Sequence, residues 1–404
     1  MRGLIGGAVG LAMLFAVSAC APEPSPAPVA PQATVAPTPV VVPTATAPVV
    51  AAAVPTPTAV IQAAMSSPTA VSAITPAPAN PTPASARDAT PVTEAPPKPA
   101  ASAYQFTQWD IPGPPARPHD IGVAPDGSVW YSGQASNQIG RLDPRTSQWR
   151  QFDVPTPNSG PHGLHVDRRG QVWFTGINVN TIGVLDPTTG DIREYVVPTA
   201  NSRPHTLTED AEGNIWFSQQ NGNKVGRLVP ETGEMTEYSV PTPRANVYGV
   251  HVGTDGMVWF ALLAGHKIGR VDPATGEISE YSPPTSNQGA RRVWSDSLGR
   301  IWVAEFGGGK LGMFDPNTEQ WREFDPPTAN SQPYAVIVDR WDVVWISEFN
   351  PHRLSRFDPE TEEWASYPMP SANAACRFLD SDDQGGIWCP ESGTSKITRL
   401  APED

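Results

Sequence analysis

The stretch that decides the fold runs from residue 161 to residue 203 and reads PHGLHVDRRGQVWFTGINVNTIGVLDPTTGDIREYVVPTANSR. It holds four short runs of apolar or alternating residues, and Gly, Pro, Asp and Asn separate these runs. Runs of this length, bounded by turn residues, are typical of β-strands. The stretch therefore predicts a unit of four β-strands.

This unit recurs along the chain. A Val-Trp or Ile-Trp pair returns every 43 residues, seven times in all. The tryptophans of these pairs are Trp130, Trp173, Trp216, Trp259, Trp302, Trp345 and Trp388. Repeats of about 40–45 residues with four strands each are typical of β-propellers. The sequence thus predicts an all-β, seven-bladed β-propeller.

The two ends of the repeated region predict how the ring closes. Residues 105–112 match the fourth-strand sequence of residues 148–155, whereas the chain ends shortly after a third-strand sequence at residues 396–400. We therefore expect the N-terminal strand to complete the last blade, which would remove the open sheet edges. On this basis the propeller domain is predicted over residues 104–404.

The chain before the propeller has a different composition. Residues 21–103 contain 20 of the 48 prolines and only five charged residues. Such a segment buries too little apolar surface to offset the entropy lost on ordering. Because Pro-rich sequence favours the extended polyproline II conformation, we predict a disordered linker that acts as a semi-rigid spacer.

The first 20 residues are predicted to be a lipoprotein signal peptide. Arg2 precedes an apolar run over residues 4–16, which is short for a transmembrane helix. The small residues before Cys20 resemble a bacterial lipobox, which implies cleavage before Cys20 and lipidation of its sulfur. An ordinary secretory signal and a membrane anchor are the alternatives. We expect an extracytoplasmic protein that is lipid-anchored to the bacterial cell membrane.

The charge balance limits the classes of binding partner to be expected. The chain has 27 Lys and Arg against 41 Asp and Glu, a formal net charge of −14. An acidic surface offers few cations to neutralise phosphates, so nucleic acid is not an expected partner. We expect a monomer, as is common for closed propellers.

The register of each first hairpin predicts which residues reach the propeller axis. The turn of each first hairpin lies about four residues before the repeated tryptophan. The residue that precedes this tryptophan by 11 positions should therefore lie opposite the residue that follows it by three positions. We call the seven residues that precede a repeated tryptophan by 11 positions the upper mouth. They are His119, His162, His205, Tyr248, Arg291, Tyr334 and Arg377. The residues three after are Gly133, Gly176, Gln219, Leu262, Glu305, Glu348 and Glu391.

This pattern predicts a site for metal binding or acid–base chemistry at the upper mouth. Imidazole and carboxylate groups bind divalent ions, and a histidine can abstract a proton from a nearby carbon. The alternatives are simple cross-strand ion pairs between Arg291 and Glu305 and between Arg377 and Glu391, with the histidines capping the channel. His165, His251 and Trp294 lie further along the first strands and are expected to line or plug the channel.

Two cysteines remain besides Cys20. In the predicted register, Cys376 and Cys389 occupy positions of different parity on one hairpin. Their side chains should then point to opposite faces of the sheet. We therefore expect two unpaired thiols.

Several segments of the repeat resemble the virginiamycin B lyase (streptogramin lyase) family. They are Val154–Pro157, Gly160–Gly163, Val172–Thr175, Lys267–Arg270 and Gly276–Tyr281, and the resemblance extends over residues 104–404. It implies a carbon–oxygen lyase that opens cyclic depsipeptides by elimination. In that reaction a histidine removes the Cα proton, and a magnesium ion held by carboxylates stabilises the intermediate.

Only some of the family's site residues have counterparts at the matching positions of this chain. The last blade reads Ala374-Ala375-Cys376-Arg377 where the family has its Pro-His-Gly segment, and Pro-His segments occur instead at Pro118-His119 and Pro161-His162. Of the carboxylates, Glu391 alone matches the family's residue after the tryptophan. Combining the resemblance with the positions at the mouth, we expect His119 and His162 to be catalytic and Glu391 to bind Mg²⁺, with Glu305 and Glu348 as additional candidate ligands. The residues expected to contact a small-molecule or peptide substrate are His205, Tyr248, Arg291, Tyr334 and Arg377. The alternative is a non-catalytic extracytoplasmic propeller that binds a ligand or protein at the same mouth.

Overall fold

The computed structural model describes residues 98–102 and 104–403 of the chain. The predicted signal peptide over residues 1–20, the lipidation site Cys20 and nearly all of the predicted linker over residues 21–103 lie outside the described residues. In the described part, no helix is long and apolar enough to cross a membrane.

The described chain forms 28 β-strands, four in each of seven blades. Blade 1 has β2 (Pro118–Val123), β3 (Val129–Gly133), β4 (Gln138–Asp143) and β5 (Gln148–Asp153). Blade 2 has β6 (Pro161–Val166), β7 (Val172–Gly176), β8 (Thr181–Leu185) and β9 (Ile192–Val196). Blade 3 has β10 (Pro204–Glu209), β11 (Ile215–Gln219), β12 (Lys224–Leu228) and β13 (Met235–Ser239). Blade 4 has β14 (Val247–Val252), β15 (Val258–Leu262), β16 (Lys267–Val271) and β17 (Ile278–Tyr281).

The remaining blades follow the same order, except that the last one borrows the first strand of the domain. Blade 5 has β18 (Ala290–Ser295), β19 (Ile301–Glu305), β20 (Lys310–Asp315) and β21 (Gln320–Phe324). Blade 6 has β22 (Pro333–Val338), β23 (Val344–Glu348), β24 (Arg353–Asp358) and β25 (Glu363–Pro368). Blade 7 has β26 (Asp380–Ser381), β27 (Ile387–Glu391), β28 (Lys396–Pro402) and β1 (Tyr104–Asp110).

The predicted propeller and its closure are confirmed. All strand pairs are antiparallel, and β1 pairs with β28 from Tyr104 opposite Pro402 to Asp110 opposite Lys396. The ring thus closes by joining both ends of the domain in one sheet. Residues 98–102 extend the contacts beyond β1, because Lys98 Nζ lies 2.9 Å from both Asp358 and Glu360 of blade 6.

The repeated tryptophan forms the contact between neighbouring blades. Trp173 of blade 2 is 1% exposed and belongs to a core cluster that includes Phe217 of blade 3. Its indole Nε1 donates to Asp167 in the first hairpin turn at 2.9 Å, and Trp216 donates to Asp210 in the same way at 2.7 Å. The Asp of the turn thereby satisfies the polar atom of a buried ring, which explains why both residues recur together.

The register predicted for the first hairpins is wrong by one residue at the upper mouth. Near the turn the pairing is as expected, with Gly122 opposite Trp130. A shift between Pro118 and Ile121 then brings Pro118, not His119, opposite Gly133, and the same shift occurs in blades 2 to 6. This β-bulge adds one residue to the inner strand, so the mouth residues no longer face the residues three after each tryptophan.

The same shift overturns the prediction of two unpaired thiols. Cys376 pairs with Glu391, which lies two residues after Cys389 on β27. Residues two apart on a strand point to the same face, so the two cysteine side chains meet. The structure joins Cys376 and Cys389 in a disulfide, with their Cα atoms 5.8 Å apart.

Candidate functional site

The side chains of the upper mouth converge on the propeller axis. The ring centres of His119 and His162 are 3.4 Å apart, those of His162 and His205 are 4.1 Å apart, and those of His205 and Tyr248 are 3.8 Å apart. The hydroxyl oxygens of Tyr248 and Tyr334, two blades apart, lie 2.6 Å from each other. One position per repeat therefore supplies one continuous cluster at the axis.

The histidine half of the mouth, which consists of His119, His162 and His205, is sealed from solvent. The three residues are 3%, 5% and 2% exposed. Burial lowers the pKa of each imidazole well below its ordinary value, and neighbouring positive or imidazole groups lower it further. The three rings are therefore neutral at pH 7.

A buried ion pair that the sequence reasoning missed lies directly beneath these rings. Arg292 of blade 5 donates through Nη2 to Asp120 of blade 1 at 2.9 Å and through Nη1 to Thr206 of blade 3 at 2.6 Å. His119 Nδ1 lies 2.8 Å from the same Asp120 oxygen. Burial raises the pKa of Asp120, and the Arg292 guanidinium opposes that rise.

The sequence did contain a signal for this pair. The residues ten before each tryptophan are Asp120, Gly163, Thr206, Gly249, Arg292, Ala335 and Phe378. One acid and one base stand among small and apolar residues there, so reading this position around the ring would have indicated a bond across the channel.

His119, Asp120 and His162 could hold a metal ion by distance alone, since one ligand atom of each lies within 4.8 Å of the others. Magnesium, however, prefers oxygen ligands and keeps several waters. This buried set offers two nitrogens and one carboxylate, and Arg292 already occupies that carboxylate. These residues therefore do not fit the magnesium ion that the family resemblance implies.

The structure places the three predicted carboxylate ligands away from the histidines. Glu391 accepts from Gln108 at 2.6 Å and from Thr398 at 2.5 Å, and Glu348 accepts from Ser355. These partners lie within the same blades as the glutamates, and the shift in the inner strands places Pro333 and Cys376, not the mouth residues, opposite Glu348 and Glu391. Magnesium binding by these glutamates stays a prediction.

Glu305 differs from the other two glutamates. It is fully buried, and neither of its carboxyl oxygens has a hydrogen-bond partner. Its carboxyl lies over Gly312, the position where blades 6 and 7 place the hydroxyl donors Ser355 and Thr398. Because burial is not offset by a donor, the pKa of Glu305 is raised to about 8.

The arginine half of the mouth consists of Arg291, Tyr334 and Arg377, and both arginines are half-buried. Arg291 donates to the Tyr248 hydroxyl at 2.7 Å, and Arg377 donates to the Tyr334 hydroxyl at 3.3 Å. The predicted ion pairs with Glu305 and Glu391 do not form. Among the described residues, neither arginine has a carboxylate partner.

The opposite end of the inner strands carries a different set of groups. The His251 ring of blade 4 stacks on Trp294 of blade 5 with the ring centres 4.3 Å apart. That these residues line or plug the channel stays a prediction. His165 lies 3.9 Å from Glu209 and lines a cavity of about 830 Å³ beside the hairpin turns of blades 1, 2 and 7. The cavity and the upper mouth are therefore separate features.

Comparison with known proteins identifies relatives of the whole propeller. The model of the virginiamycin B lyase family matches residues 100–347 and 245–404. A virginiamycin B lyase from Staphylococcus aureus is 26% identical, with 74% of this chain and 99% of that chain covered and a TM-score of 0.70. A structure described as a streptogramin B lyase is 28% identical, with 77% and 100% covered and a TM-score of 0.71.

One further structure holds a ligand. It is a catalytically inactive variant of the Staphylococcus aureus virginiamycin B lyase with quinupristin, 26% identical to this chain, with 74% and 99% covered and a TM-score of 0.69. No curated protein matches the chain.

Proposed function

The chain belongs to the virginiamycin B lyase family, and from that premise we propose that it binds a small molecule or peptide at the upper mouth without opening it as a lyase. The family membership and the relative that holds quinupristin support the ligand-binding part. The burial of the histidines supports the absence of lyase chemistry.

That burial is the observation that carries the proposal. A general base must come within about 2.6–3.2 Å of the proton that it abstracts. The histidines are at most 5% exposed and stack on one another, so a substrate carbon cannot approach their nitrogens without opening the cluster. A lowered pKa also makes each imidazole a weaker base.

A lyase is the second candidate, and one contact favours it. Asp120 lies 2.8 Å from His119 Nδ1, which is the arrangement that orients an imidazole and leaves its Nε2 free to act as a base. In this version, ligand binding would first have to separate His119 from His162. His119 would then act as the base and Asp120 would orient it.

The test incubates the full chain with quinupristin. Calorimetry measures binding, and mass spectrometry measures the linear elimination product, with the Staphylococcus aureus lyase as the positive control. We expect saturable binding and no linear product. Phe349→Ala should weaken the binding, because the Phe349 ring stacks on the mouth residue Tyr334 with the ring centres 5.2 Å apart. A product that disappears in His119→Gln would favour the lyase, and the absence of both binding and product would overturn both candidates.

We also propose that the domain is held outside the cytoplasm by a lipid on Cys20 and acts as a monomer. The disulfide between Cys376 and Cys389 supports an oxidising compartment, where such bonds persist. Fractionation of the producing cells tests the anchor, since Cys20→Ala should move the protein from the membrane to the soluble fraction. Retention of that variant in the membrane would contradict the lipid anchor, and light scattering of the released protein would measure its mass.

A further inference from the structure

We infer that the upper mouth selects an anionic ligand, and that Arg291 and Arg377 together bind its carboxylate or an equivalent group. This inference rests on the proposed ligand-binding function and names the class of ligand. It assigns the charge recognition to two arginines that are 86 residues apart in the chain and two blades apart in the ring.

Hydrogen bonds link the two guanidinium groups through two tyrosines. Arg291 donates to Tyr248 at 2.7 Å, the hydroxyls of Tyr248 and Tyr334 are 2.6 Å apart, and Arg377 donates to Tyr334 at 3.3 Å. Both guanidinium carbons also lie against the Tyr334 ring, at 4.3 and 5.5 Å from its centre. The two positive groups thus share one neighbour and face the same space.

The charge of these two guanidinium groups is not balanced by any carboxylate in the described part of the chain. Neither forms an ion pair with a described carboxylate, and the Nε atoms of both are buried without an acceptor. Arg292, the next residue after Arg291, is paired with Asp120, so the lack of a partner is a property of the mouth and not of blade 5. In a chain with a net charge of −14, two such cations beside the same tyrosine ring indicate that an anion completes the site.

Aromatic rings set the orientation of both guanidinium groups. The Arg291 guanidinium lies 4.0 Å from the centre of the Phe306 ring, and that of Arg377 lies 4.9 Å from the centre of the Phe349 ring. Stacking of this kind holds a guanidinium by its face. Because Nη1 donates to a tyrosine hydroxyl and Nε is buried, Nη2 of each arginine is the donor left for a carboxylate. The partly exposed phenylalanines also offer apolar surface, so the expected ligand is a carboxylate on an apolar or aromatic body.

The experiment compares two probes that differ only in charge, N-acetylphenylalanine and N-acetylphenylalaninamide, by calorimetric titration of the full chain at low salt. We expect the acid to bind at least about tenfold more tightly than the amide. Arg291→Gln and Arg377→Gln should each remove this preference, and Arg291→Lys should retain part of it. Arg322→Gln, at an exposed pair with Glu362 on an outer strand, is the matched control and should change nothing.

Each other outcome has a defined meaning. Equal binding of both probes, or a preference for the acid that survives both glutamine variants, would overturn the inference. Binding of quinupristin without binding of either probe at millimolar concentration would overturn it as well, while the proposed function stands. Unfolding curves of each variant, followed by tryptophan fluorescence, exclude loss of the fold as the cause.

Discussion

The histidine half and the arginine half of the upper mouth occupy the same repeat position, yet they differ in burial and in charge compensation. His119, His162 and His205 are nearly inaccessible and neutral, and a buried ion pair lies beneath them. Arg291 and Arg377 are partly exposed and have no ion-pair partner among the described residues. The repeat thus fixes where a side chain is placed, and its chemical type decides whether that place becomes core or binding surface.

The physical reason is the difference in desolvation. A neutral imidazole can be buried when its neighbours are rings or hydrogen-bonding groups, whereas a guanidinium loses much more hydration energy unless an anion or water remains in contact with it. Arg292 differs from both groups, because it is a cation that is buried at the axis, where Asp120 compensates its charge. Three predictions follow from this comparison, and each one perturbs one half while leaving the other as its reference.

The largest effect is expected from removing the cation beneath the histidine half. Arg292→Met leaves Asp120 buried and uncompensated, so the free energy of unfolding should fall by about 3–5 kcal/mol. Denaturant unfolding followed by tryptophan fluorescence measures the loss. In Arg322→Met, which breaks an exposed pair, the loss should stay within about 0–1 kcal/mol. A loss for Arg292→Met as small as that of the control would show that the buried pair does not support the histidine half.

A somewhat smaller effect is expected from opening the disulfide beside the arginine half. The bond closes a loop of 13 residues in blade 7, whose inner strand has only two residues, and Arg377 follows Cys376 directly. Removal of Cys376 and Cys389 by serine should lower the free energy of unfolding by about 2–4 kcal/mol. The anion preference at Arg377 should weaken in parallel, whereas the histidine half should be unaffected.

The measurement for the disulfide is a pair of unfolding curves with and without reductant, combined with the titration of N-acetylphenylalanine. Thiol labelling before and after reduction confirms the redox state. An unchanged unfolding midpoint in the serine variant would contradict a stabilising role of the bond.

The smallest effect is a pH dependence of opposite sign in the two halves. Glu305, in the same blade as Arg291, has a folded pKa of about 8 against an ordinary value of 4.5, so the folded state binds the extra proton between these values. The Glu305 carboxyl therefore makes its full contribution to the free energy of unfolding below pH 4.5, and this contribution decreases as the pH rises to 8. Glu305→Gln should flatten the stability profile across that window.

The histidine half provides the contrast for this test. The folded pKa of His205 lies below its ordinary value of 6.5, so the unfolded state binds the proton first, and stability decreases as the pH falls below 6.5. His205→Gln should reduce the slope on the acid side of the profile, to which His119 and His162 also contribute, and should leave the alkaline side unchanged. Unfolding midpoints between pH 4 and 9 for the two variants and the parent chain decide the matter, and identical profiles would contradict both assignments.

Sequence reasoning found the residues of the mouth but not the contacts among them. His119, Arg291 and the other mouth residues were located because the 43-residue spacing places one of them on each inner strand. Glu305, Glu348 and Glu391 were predicted to lie opposite mouth residues. That prediction was wrong because each inner strand contains one extra residue. A β-bulge has no strong sequence signature here, because Pro-His and Pro-Tyr fit a regular strand entry as well as a bulged one.

The sequence by itself determined the all-β class, the number of blades, the closure by β1 and the set of residues at the axis. These features depend on the period and on local turn chemistry, which a linear pattern contains. Only the tertiary structure decided that Asp120 meets Arg292 across the channel, that Cys376 meets Cys389, and that Arg291 and Arg377 have no ion-pair partner among the described residues. Those contacts depend on the register within each blade and on the packing of strands far apart in the chain, and a shift of one residue changes all of them.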